Sequence, residues 1–210
     1  MAHEQMTNDK HARRVHLSWQ WILFGVIVGL GIVIGSVVGV SYQEQDNRFC
    51  ASCHTQPETE YWGRYERAVA TKFADDLASF HYRKKEVRCI DCHIGEGVDG
   101  RTQVVAMAGW NAFKHFTRLE QQPAKIILPL QNEACVKCHD AELHKAGFEN
   151  HVHNKYFDVN ENPPFIRCTD CHLMHRLGDE RTRFQFRDAI LPKCEYCHVQ
   201  MGKGPRGLVR

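Results

Sequence analysis

The sequence predicts a mainly α fold with many loops: a single transmembrane helix near the N-terminus, then one compact domain. Three observations predict it. The 20 residues from Trp21 to Val40 carry no charge. Elsewhere apolar residues recur at helical spacing, and no stretch sustains the period-2 alternation of strands. Five short motifs punctuate the rest of the chain and contain all ten of its cysteines. They read Cys50-Ala-Ser-Cys53-His54, Cys89-Ile-Asp-Cys92-His93, Cys135-Val-Lys-Cys138-His139, Cys168-Thr-Asp-Cys171-His172 and Cys194-Glu-Tyr-Cys197-His198.

The apolar run defines the first boundaries. Residues 1–16 form a polar N-terminal tail and residues 17–42 a membrane anchor, long enough to cross a hydrocarbon core of ~30 Å. Trp19, Trp21 and Tyr42 stand where interfacial aromatic belts are found. Lys10, Arg13 and Arg14 precede the run, while Glu44 and Asp46 follow it with Arg48 as the nearby cation. The positive-inside rule then puts the N-terminus in the cytoplasm and the following domain outside. The run is longer than a signal-peptide core, and no A-x-A cleavage site follows it. Gly25 and Gly29, and Gly31, Gly35 and Gly39, are spaced four apart. Small residues at that spacing let a second transmembrane helix approach closely.

Each cysteine motif is C-x-x-C-H, the attachment signal for c-type haem. Two thiols at this spacing reach the two vinyl groups on one edge of a porphyrin, and the next histidine ligates the iron from the proximal side. A lone C-x-x-C can be half a zinc site or a redox dithiol. Five copies, each followed by histidine and leaving no cysteine over, argue for five covalently bound haems. The haem-binding cysteines are then Cys50, Cys53, Cys89, Cys92, Cys135, Cys138, Cys168, Cys171, Cys194 and Cys197. The proximal ligands are His54, His93, His139, His172 and His198. The 168 residues after the anchor give little chain per haem, so the expected core of this multihaem cytochrome c domain (residues 43–201) is haem itself. A formal net charge of +2 points to no nucleic-acid partner.

Along the domain, a capping hydroxyl at Thr55, an early proline and acidic residues predict a helix from Pro57 to about Phe80. Tyr61, Trp62, Tyr65, Val69, Phe73 and Leu77 fall on one face of it, with His81 just beyond. Gly95, Gly97 and Gly100 predict a loop, and a helix from about Thr102 to Gln121 carries His115. A short helix is expected from His139 to Ala146. Residues 202–210 read as a basic, flexible tail.

Fourteen histidines permit a count of axial ligands. Three lie in the N-terminal tail and five are proximal. His81, His115, His144, His151, His153 and His175 remain as distal candidates, about five of which would give every iron two imidazoles. Iron so closed exchanges single electrons and binds no substrate, so no catalytic residue is expected.

This layout resembles the NapC/NirT family of membrane-anchored multihaem quinol dehydrogenases over roughly residues 15–176. The likeness lies in the single anchor, the motif just after it, His81 before Cys89–His93, His115 on the following helix, and the run Cys171-His172-Leu-Met-His175. Two features depart from the family: a fifth motif at Cys194–His198, and Gln56 where members often carry methionine. The chain is also similar to the pentahaem subunit of alternative complex III in size, anchor and motif number. That resemblance implies a haem wire on the periplasmic side of the bacterial cytoplasmic membrane. Other membrane and iron–sulfur subunits would supply quinol oxidation, and a soluble cytochrome c or blue-copper protein would accept the electrons. The alternatives are a stand-alone NapC/NirT-type quinol dehydrogenase feeding periplasmic reductases and, less in keeping with the histidine count, a catalytic multihaem reductase.

Overall fold

The computed structural model describes residues 18–125, 127–143, 167–202, 204 and 207. Among these residues the regular structure is helical and no strand occurs. The chain divides into two compact units at Tyr42 and Gln43.

The first unit is built on α1, Trp19–Gln43, whose 25 residues include no acidic first turn and no basic last turn. At 1.5 Å rise per residue it extends about 37 Å. Its most apolar stretch has a mean hydropathy of 2.6, and none of that stretch is buried by other protein. By length and composition α1 can cross a membrane.

The second unit begins with α2, Asn47–Cys53, capped by Asp46, whose carboxylate accepts from Arg48 N at 2.9 Å. Two helices, α3 (Glu58–Thr71) and α4 (Leu77–Lys85), occupy the region predicted as one. The break has a local cause. Lys72 adopts the left-handed conformation at φ 59°, and Asp76 restarts the chain as the N-cap of α4. Its side chain accepts from Ser79 N at 2.7 Å, while Ser79 Oγ accepts from Asp76 N at 3.2 Å. This reciprocal capping box satisfies two donors that a helix start leaves unpaired. His81 therefore lies inside α4. The predicted aromatic stripe is split too: Tyr65 is buried, whereas Val69 and Phe73 are exposed.

Motif two forms α5, Cys89–His93, and α6 runs over Gly97–Phe116, earlier at both ends than the predicted 102–121. The glycine loop is thus shorter than expected, because Gly97 and Gly100 already belong to the first turn of α6. Gly95 (φ +80°) makes the turn before it, and a Cβ there would collide with the Gly100 carbonyl. Gly95→Ala is expected to cost about 1–3 kcal/mol, read as a lower midpoint in thermal unfolding.

The third motif lies within α7, Glu133–Leu143, which begins earlier than the predicted His139 start. The fourth forms α8, Cys168–Cys171, and a 3-10 turn follows at Glu180–Thr182. The last motif rides on α9, Arg187–Met201, which closes at Gly202 in the left-handed region. In the expected C-terminal tail, Gly207 N donates to Glu195 Oε1 at 3.1 Å.

The side-chain core is small. Ala68, Ala74 and Phe184 are buried together, with Leu77, Phe80 and Phe186 packed around them. Much of the remaining buried set is polar: Glu44, Asn47, Arg64, Asp76, Ser79 and Asn132.

Candidate haem-binding site

All ten cysteines lie among the described residues, and none forms a disulfide. They are gathered by a pattern used twice. Asn47, three residues before Cys50, is buried, and its Oδ1 accepts from Cys89 N at 2.8 Å. Asn132, three residues before Cys135, is also buried, and its Oδ1 accepts from Cys168 N at 2.8 Å. Each asparagine joins the start of one motif to the first helical N–H of the next, a group that a short helix leaves without an internal partner. The second motif of each pair is also closed the same way. Arg88 N donates to Asp91 Oδ2 at 2.8 Å, and Arg167 N donates to Asp170 Oδ2 at 3.0 Å.

These clasps bring first cysteines together. Cys50 pushes the pKa of the Cys89 thiol up, and Cys168 does the same to Cys135. Lysines join one pair to the next motif. Lys137 in motif three reaches the Asp91 carbonyl and pairs with Glu96 at 3.0 Å. Lys193, just before Cys194, pairs with Asp170 at 3.3 Å. Each motif therefore touches its successor, in chain order, from the first to the fifth.

The distal candidates fall into three groups. His175 and His93 lie with ring centres 6.5 Å apart and planes inclined by 13°. His81 and His139 lie 5.9 Å apart with planes at 84°. Two imidazoles bound to opposite faces of one metal, with metal–nitrogen bonds of about 2 Å, hold their ring centres roughly 6 Å apart. Both pairs match that separation. His115 has another partner: its Nδ1 lies 2.6 Å from Glu120 Oε2. His144, His151 and His153 lie outside the described residues.

The surroundings of the two pairs suit ligands. His81 Nδ1 meets the Leu77 carbonyl at 2.8 Å, which leaves Nε2 as the open nitrogen. Desolvation lowers its pKa below the usual histidine value. Desolvation likewise lowers His93. It brings His175 to about 4, against an opposing contribution from Asp76. All three imidazoles are thus neutral at pH 7, the form that binds a metal. His175 Nδ1 is buried without a protein hydrogen-bond partner. A small, partly open pocket is lined by Cys89, Cys92, His93, His81 and His175 together with apolar Val87, Leu130 and Met174. Sulfur, imidazole and apolar walls in one cavity are the donor set and lining that a covalently bound haem needs. No cluster of three or more His, Cys, Asp or Glu able to hold a bare metal ion occurs among the described residues.

Some residues that build this site carry no motif of their own. Tyr61 stacks on His175 at 4.0 Å with an 8° inclination. Arg64 is buried, and its guanidinium donates to the His175 carbonyl at 2.7 Å and to Asp76 Oδ2 at 2.8 Å. Met174 O accepts from Ala78 N at 2.9 Å, so both carbonyls on the loop bearing His175 are held. The asparagine clasps had a sequence signal: N-x-x-C-x-x-C-H followed by R-C-x-D-C-H occurs twice.

Near the first motif, Gln56 N donates to Gln122 Oε1 at 3.3 Å, and Ala124 N donates to Gln56 O at 2.8 Å. The segment after α6 is therefore tied to the backbone of Gln56, which remains exposed. No protein-family model, curated protein or solved structure matches this chain.

Proposed function

We propose that this chain is a membrane-anchored pentahaem c-type cytochrome that relays electrons on the outer side of the bacterial cytoplasmic membrane. Its place is as the haem-wire subunit of a quinol oxidoreductase complex of the alternative complex III kind. The observation that carries the reading is the spacing of His93 from His175 and of His81 from His139, 6.5 and 5.9 Å between ring centres. Each pair unites the histidine of a C-x-x-C-H motif with a histidine remote in sequence. The haem irons supply one-electron exchange when bound. The protein's own work is to attach, orient and desolvate them. Five motifs that touch in chain order suit a relay, since an electron entering at one end finds a neighbour at every step.

Quinol oxidation is assigned to partner subunits, reached through the glycine-striped face of α1. A periplasmic cytochrome c or copper protein is the proposed acceptor.

The first test is haem content. The full chain, produced in a host with a c-type maturation system, is expected to give five haems per polypeptide by pyridine haemochrome. Its intact mass should exceed the sequence mass by five haems. An unmodified mass sinks the proposal. Purification in mild detergent then separates the functional alternatives. Co-purifying membrane and iron–sulfur subunits support the wire, whereas a lone chain reduced directly by a quinol analogue supports a stand-alone quinol dehydrogenase.

A further inference from the structure

We propose that Asn47 and Asn132 are positioning residues that divide the relay into two repeated two-haem units, motifs one–two and three–four, with motif five appended. The inference rests on the haem reading above. Its own basis is the repeat: two buried asparagines, each three residues before a motif, each accepting from the first cysteine N–H of the next motif at 2.8 Å. The same partner motifs carry the same Arg–Asp closure.

The physical consequence is a fixed distance. A first cysteine would be bonded to the porphyrin edge in a c-type site, so tying the backbone of one motif to the first cysteine of the next would limit how far apart two porphyrin edges can lie. The asparagine side chain sets that limit because it joins the backbone of one motif to the backbone of the other. Between units the grip is different in kind. Lys137 reaches a carbonyl and a partly exposed carboxylate, and Lys193 reaches the Asp170 carboxylate from a largely exposed position. A flexible ammonium stem fixes geometry less tightly than a buried amide with a short side chain. Each clasp is therefore expected to govern electron exchange within its own unit.

The test uses the full, detergent-solubilised chain. Haem content and intramolecular electron equilibration after flash photoreduction are read for the wild type, Asn47→Ala, Asn132→Ala and Asn47→Asp. Both alanine variants are expected to keep five haems. Each should slow one fast phase by about tenfold, the size of effect typical of residues that support ligands without touching the metal. The phases should differ, and the double variant should show both changes independently. Asn47→Asp keeps the acceptor oxygen and should equilibrate like the wild type. A wild-type chain without haem fails the underlying reading and this one with it, before any variant is made. A five-haem Asn47→Ala chain with unchanged kinetics, or two alanine variants that slow the same phase, overturns the inference itself. If Asn47→Ala does not mature, a five-haem Asn47→Asp chain that is slow overturns it as well, and one with wild-type kinetics supports it.

Discussion

Replacing His175 with alanine is expected to convert one haem of five from six-coordinate to five-coordinate iron. The variant should show a new high-spin absorption feature and bind carbon monoxide at about one site per chain. Added imidazole should reverse both by filling the vacated position. The prediction is sharp because the structure gives His175 a single role. Its ring faces His93 at 6.5 Å, it is stacked on Tyr61, and its Nδ1 is buried with no protein hydrogen-bond partner. No other described imidazole makes a ring contact with His93. A five-haem His175→Ala chain that stays wholly low-spin and ignores carbon monoxide would refute the pairing. His81→Ala should behave in the same way at the haem of His139, and His93 should keep its partner.

The second large effect is one of stability. Replacing Arg64 with methionine is expected to destabilise the domain by about 3–5 kcal/mol, because it leaves a buried carboxylate without its counter-charge. Asp76 is 0% exposed, and its Oδ2 accepts from Arg64 at 2.8 Å. Burial works against the Arg64 charge, but the hydrogen bonds to Asp76 and Glu60 raise its pKa above the ordinary value. The same guanidinium holds the His175 carbonyl. A fall in unfolding midpoint of about 10 °C should follow for a domain of this size. Arg64→Lys keeps the charge but not the fork, and should fall between the two. Asp76→Asn with Arg64→Met should recover part of the loss, since a neutral amide tolerates burial better than a bare carboxylate. Equal midpoints for wild type and Arg64→Met would show that the ion pair contributes nothing.

The five C-x-x-C-H strings are legible in the sequence because their spacing is local and independent of tertiary context. The anchor was readable for a similar reason: α1 is set by an unbroken apolar run. His81 and His175 stood out as spare histidines beside motifs. Their partners did not, because pairing His175 with motif two and His81 with motif three depends on how α3 and α4 fold over the chain. The helix predicted over 57–80 failed at Lys72, where a left-handed turn and the Asp76 cap outweighed a continuous aromatic periodicity. Phe184 lay in a charged stretch with no sign of its burial, yet it is 2% exposed in the small core. The Asn47 and Asn132 clasps were legible as a repeated string, and only their contacts reveal its purpose.

The His93–His175 pair also dictates an order of assembly. If the domain emerges in chain order from the anchor onward, Asn47 can clasp Cys89 as soon as the second motif emerges. His81 is likewise waiting when His139 arrives. His175 follows the fourth motif, so His93 lacks its partner ring until most of the domain has emerged. The pocket that closes last is then the one lined by residues of α3, α4 and α5, and its closure draws in Arg64, Asp76 and Tyr61 together. A single late imidazole thus acts as a checkpoint: a chain truncated before it retains its attachment motifs one to four but lacks the latch that completes the fold.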